Sequence, residues 1–138
     1  MSTLLVDELY PGVEIVQQIK VTRNTSVFHI RPWVYKHGSP ATGIFTLKVY
    51  DGAALLATSE IPATDLTAEI PGTYAHGFLR FDFENLMLNI PEGSFEKEYT
   101  LKFSMPGYVK DTANFLGMVR RYEAKTYSTY GVGVVGNE

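Results

Sequence analysis

The sequence predicts an all-β fold, a two-sheet antiparallel β-sandwich of jelly-roll type with about eight strands in a single domain. Three observations predict it. Apolar residues recur at every second position in segments spread along the chain, most clearly Phe45, Leu47 and Val49 alternating with Thr46, Lys48 and Tyr50, which is the period of a half-buried strand. Gly, Pro, Asn and Asp punctuate these segments, as at Asp51-Gly52 and Pro91-Glu92-Gly93-Ser94, where turn chemistry ends a strand. Short strands joined by long crossings suit a double-sheet roll better than a meander.

The elements follow in order. Val13, Ile15, Ile19 and Val21 form one apolar face, with Gln17 its exception, and place the first strand over Val13 to Val21. Phe28, Ile30 and Val34 alternate with His29, Arg31, Trp33 and Tyr35 around Pro32. Proline has no ladder donor, so this segment is expected at a sheet edge or bent by a bulge. The Phe45 strand turns at Asp51-Gly52 into a partner from Leu55 to Glu60, a hairpin. Residues 61 to 72 carry two prolines and read as a crossing loop with one helical turn capped by Thr64 or Asp65. Alternation returns at Leu79, Phe81 and Phe83 and continues after Glu84-Asn85 with Leu86, Leu88 and Ile90. Tyr99, Leu101, Phe103 and Met105 then oppose Glu98, Thr100, Lys102 and Ser104, up to Pro106-Gly107. A last strand runs from Phe115 to about Lys125, closing a sandwich domain of residues 1–125. Residues 126–138, rich in Gly and Tyr, read as a C-terminal tail and an arm.

Composition excludes several kinds of work. A chain of 138 residues can bury a core unaided, and the absence of cysteine removes disulfides, thiolate metal sites and cysteine nucleophiles. A formal charge of −3, with basic residues scattered except at Arg120-Arg121, offers no field for nucleic acid. Met1 to Leu9 lacks a charged start followed by an apolar run, and no segment approaches a membrane span. The expectation is a protein made in a host cytoplasm without a signal peptide, complete from Met1, with neither nucleic acid nor membrane as a partner.

The segments GIFTLKVYDGAALLATSEIPATDL, FLRFDFENLMLNIPEGSFEKEYTLKFSMPGY and NFLGMVRRYE together resemble jelly-roll modules of phage virion structural and decoration proteins and of carbohydrate-binding modules. The resemblance implies a virion location. It also implies a structural calcium, for which Asp51, Asp65 and Asp111 are the candidates. No EF-hand spacing occurs and turn chemistry accounts for each aspartate, so no cofactor is expected.

Catalytic constellations are absent from the pattern. No G-x-S-x-G elbow occurs, and Ser39 beside His37 and Ser128 read as loop serines. Asp51, Asp82, Glu84 and Glu98 could in principle pair as carboxylates, but Asp82 and Glu98 fall on the polar sides of their strands. His29, His37 and His76 lack metal-ligand spacing. The protein is therefore expected not to be an enzyme.

Two binding functions remain. Tyr, Trp and Arg are enriched at interface cores, and Arg120, Arg121, Tyr122, Tyr127 and Tyr130 mark a contact with neighbouring virion proteins or with further copies of the chain in a homo-oligomer. The expectation is a capsid decoration or a tail or fibre component working through that contact. The alternative is a lectin-like module for cell-surface glycan, in which Trp33, Tyr35, Tyr50, Tyr74 and Tyr108 stack on sugar rings.

Overall fold

The computed structural model describes residues 3–122 and 128–137. Eleven strands form among the described residues: β1 Thr3–Glu8, β2 Ile15–Val21, β3 Thr25–His37, β4 Ile44–Asp51, β5 Ala54–Pro62, β6 Tyr74–Phe78, β7 Phe81–Leu88, β8 Lys97–Ser104, β9 Phe115–Tyr122, β10 Ser128–Tyr130 and β11 Val132–Asn137. The only helical residues among those described are a 3-10 turn, Ala63–Asp65, and one α turn, Leu66–Glu69. That turn lies where the sequence places it, but Asp65 makes no side-chain cap hydrogen bond.

All pairings are antiparallel and they nest. β1 pairs with β9, β2 with β8, β3 with β6 and β7, and β4 with β5. The chain thus behaves as one long hairpin rolled over itself, the jelly-roll topology. One sheet runs β2-β8-β4-β5, and the other carries β1, β9 and β3, with β6 and β7 in tandem on the far side of β3. No helix among the described residues is long and apolar enough to cross a membrane.

The inner faces form one core. Phe45 and Phe103 from the four-stranded sheet meet Phe81 from the larger sheet, with ring centroids 5.0 to 6.1 Å apart. Each such pair adds about 0.5–1.5 kcal/mol beyond area burial. Leu47, Val49, Leu101, Ile30, Val34, Leu88, Leu116 and Met118 complete the layer.

Several expectations change. Pro32 does not lie on an edge, since β3 has neighbours on both sides. Its missing N–H falls where those neighbours change: β7 and β11 flank β3 below it, and β6 and β9 flank it above. The Pro32 carbonyl still accepts from Leu79 N–H at 3.1 Å. The bulge lies earlier, between Val27 and His29. It adds one residue and flips the parity, so Val27 is buried and Phe28 is exposed. β1 was not anticipated, and it covers the outer edge of β9.

The glycine-rich end is not an arm over its described residues. β10 pairs with β9, the chain reverses at Gly131, and β11 pairs with β3 from Pro32 to Ser26. Gly131 N–H donates to Val119 and its carbonyl accepts from Trp33 N–H at 2.7 Å. The segment therefore fills the wedge where β9 and β3 diverge, and its small residues suit that wedge. A side chain at Gly136 would meet the Ser26 carbonyl oxygen at 2.2 Å.

Candidate ligand-binding face

Strand β3 is the centre of the larger sheet, and its alternation decides what the outer face carries. Ile30, Pro32, Val34 and Lys36 point inward and are buried. His29, Arg31, Trp33, Tyr35 and His37 therefore form the outward row. β6 lays a second row beside it in direct register, Phe78 opposite Trp33, His76 opposite Tyr35 and Tyr74 opposite His37. β9 sets Phe115 opposite His37 on the other side.

Directly opposed residues touch across a sheet, and these rings do. Trp33 lies 6.3 Å from Phe78 at an interplanar angle of 25° and 5.6 Å from His76. Tyr35 lies 4.9 Å from His76 and 6.3 Å from Phe115. His37 stacks on Phe115 at 4.6 Å and 9°, and meets Tyr74 at 4.7 Å. The Tyr35 hydroxyl and His37 Nδ1 are 3.3 Å apart, within hydrogen-bond distance. The Arg31 guanidinium sits 5.5 Å from the Phe78 centroid, a cation–π contact. Tyr74 is 65% and Phe78 50% exposed, while Trp33, Tyr35 and His37 are half-buried. The result is a continuous strip of rings on an open sheet face, ending at Arg80 and His29, which hold Asp82 at 3.0 and 3.4 Å.

Three residues expected in a glycan site, Trp33, Tyr35 and Tyr74, are thus brought together. Tyr50 is not among them. It lies on β4 in the opposite sheet, under the Lys102 ammonium at 4.6 Å. Tyr108 is a correction, because it is only 5% exposed and belongs to the core. Its hydroxyl donates to the Asn114 carbonyl at 2.8 Å and accepts from Asp111 N–H at 3.0 Å, and burial pushes its pKa up. His37, His76, Phe78 and Phe115 were missed as site residues. The available signal was the alternation Tyr74-x-His76-x-Phe78, obscured by the neighbouring Gly72 and Gly77.

Of the residues expected at a subunit interface, Arg120 and Tyr130 make contacts within the chain. Arg120 Nε lies 2.6 Å from Asp7 Oδ2, and the Tyr130 hydroxyl donates to the same oxygen at 2.5 Å. Burial first, then the Asp7 hydrogen bond and charge, push the Tyr130 pKa up to about 12. The Tyr130 N–H donates to Gln17 Oε1 at 3.0 Å, so the one polar residue in the apolar row of β2 holds the end of the chain. Arg121 and Tyr122 pair through their backbones with β1 and β10, and Tyr127 lies outside the described residues.

The remaining candidates stay separate. Asp51 pairs with Lys97 at 2.9 Å. The Asp111 carboxylate accepts first from the Asn114 side chain and then from Ala113 N–H, which hold its pKa below the usual range. No group of three acidic or histidine residues able to hold a metal occurs among the described residues. A cleft of about 580 Å³ lies beside Ser39, Thr42 and Lys110, but Asn114 and Thr42 there are engaged by Ser39 N–H and Val109 N–H. Comparison with protein-family models, curated proteins and solved structures gave no significant match.

Proposed function

We propose that this protein is a non-enzymatic recognition module that binds carbohydrate on the ring strip of its larger sheet. The observation that carries the reading is the register of Trp33, Tyr35 and His37 with Phe78, His76 and Tyr74 on an outer face. Aromatic groups offer apolar surface to the C–H faces of sugar rings, and the imidazole, guanidinium and hydroxyl groups between them offer hydrogen bonds to sugar hydroxyls. An extended row favours a chain of several residues over a single sugar. From the resemblance to phage structural modules we place the module on a virion, where surface glycan of a host cell would be its target.

The chain's single tryptophan lies in the strip, so its fluorescence reports directly on binding. A glycan array identifies binders, and titration of those binders should shift Trp33 emission saturably. Tyr35→Ala should weaken binding about tenfold, within the range of one lost stacking contact. An array without binders, or a binder whose affinity is the same for Tyr35→Ala, would remove the reading.

A second reading, contact with other virion proteins or between copies of the chain, draws on the parallel stack of His37 on Phe115. Rings stacked at this separation cover each other's faces and leave edges outward, which suits a complementary protein surface. Light scattering separates the two readings: a monomer at all concentrations favours glycan, and an oligomer broken by Phe78→Lys favours assembly.

A further inference from the structure

We propose that the carbohydrate taken by this face is anionic, a polysaccharide bearing carboxylates or sulfates. This inference rests on the glycan reading of the strip. The rows that build it, residues 31–37, 74–78 and 115–117, contain no Asp or Glu. Their outward polar groups are Arg31, His37 and His76, together with the hydroxyls of Tyr35 and Tyr74. His29 continues the β3 row, so every histidine of the chain lies on this one face. Imidazole N–H and guanidinium groups are donors matched to carboxylate and sulfate oxygens.

The acidic groups near the strip are at its margins. Asp82 is held by Arg80 and His29, and Glu84 follows it on β7. Glu8, across Gly117 on β1, shares a hydrogen bond with the Tyr10 hydroxyl. Charge is thus sorted: a chain of formal charge −3 keeps its carboxylates off the ring rows and leaves Arg31 beside Phe78 at one end of them. A face serving neutral glycan alone has no need of that sorting, since carboxylates are good acceptors for sugar hydroxyls.

The test uses the full chain and two pairs of polymers that differ only in charge, polygalacturonate against its methyl ester and dextran sulfate against dextran. Trp33 emission and calorimetry should show the charged member bound at least about tenfold more tightly. Raising salt from about 50 to about 500 mM should erode that preference. Arg31→Gln and His76→Gln should reduce affinity for the charged member by a larger factor than for the neutral member, so that the preference within each pair shrinks. Equal affinity within each pair would overturn the charge inference and leave the glycan reading in place. A glycan array without binders and an unmoved Trp33 emission would overturn both. Equally tight binding of a single-stranded oligonucleotide would also overturn it, by showing a general response to polyanions.

Discussion

Lys36 gives the sharpest test of the packing argument. It occupies an inward position of β3 between Val34 and the end of the strand, is 0% exposed, and its Nζ has no hydrogen-bond partner among the described residues. An unpartnered buried polar group costs about 1–3 kcal/mol. Lys36→Met keeps the length of the stem and removes the amine, so it should raise stability by about 1–3 kcal/mol. At this chain length that is a rise in Tm of about 3 to 15 °C. Lys36→Ala removes the amine and three methylenes as well, a loss of about 2.4 kcal/mol at roughly 0.8 kcal/mol each, so it should come out near the parent. Urea unfolding with unchanged m-values measures both. If Lys36→Met lowers stability by more than about 1 kcal/mol, the amine has a favourable partner and the reasoning fails.

Three further outcomes follow from named contacts. Tyr108→Phe should cost about 1–2 kcal/mol, because the Asp111 N–H and Asn114 carbonyl lose their partner; glycan affinity unchanged in that variant would separate Tyr108 from the site. Gly43 has φ +90°, and a side chain there would meet Tyr108 N at 2.7 Å, so Gly43→Ala should cost upwards of about 3 kcal/mol from strain and clash together, read from the urea midpoint. The Tyr130 hydroxyl keeps its proton up to about pH 12 in the folded chain against 10.0 for a free tyrosine. Its stabilisation is therefore whole below pH 10 and drains as pH rises towards 12. The shift corresponds to at most about 2.7 kcal/mol, and partial exposure reduces it to about 1 kcal/mol. Tyr130→Phe should show a shallower decline in alkaline melts by that amount, and at pH 7 should lose only the hydrogen bond to Asp7, about 1 kcal/mol.

Period-two alternation made most of the sandwich legible, because strands such as β4 and β8 bury one face and solvate the other. What the alternation hid has physical causes. The bulge at Val27 reverses which residues of β3 face the core, and a count of two from Phe28 therefore assigns that ring to the wrong side. Pro32 suggested an edge because proline cannot donate the ladder hydrogen bond a neighbouring strand would accept, but here it coincides with a change of neighbours on both sides. The C-terminal segment looked unfit for a core because it is glycine-rich, and glycine is what lets it enter a narrow wedge between strands. Of the site, Trp33, Tyr35 and Tyr74 were legible one by one. Their convergence was not, since it depends on the register of β3 with β6, a pairing of segments distant in sequence.

The outer face of the second sheet serves as an internal control for reading the first as a site. There β4 presents Lys48 and Tyr50, with Thr46 buried, against Lys102 and Thr100 of β8, β2 adds Val16, Gln18 and Lys20, and β5 sets an exposed Leu55 opposite Tyr50. That largely polar mixture, with Val16 and Leu55 as exposed apolar residues, is what an antiparallel sheet facing water ordinarily carries. It shows that this roll holds its shape with a solvated outer face. On the other outer face Tyr74 and Phe78 are 65% and 50% exposed, so these rings leave apolar surface in water on the same strand. Trp33 lies against His76, Phe78 and the backbone of Gly131, and Tyr35 against His76 and Phe115. A strip built in register from three strands, with no carboxylate in its rows, is the surface on which the carbohydrate proposal rests.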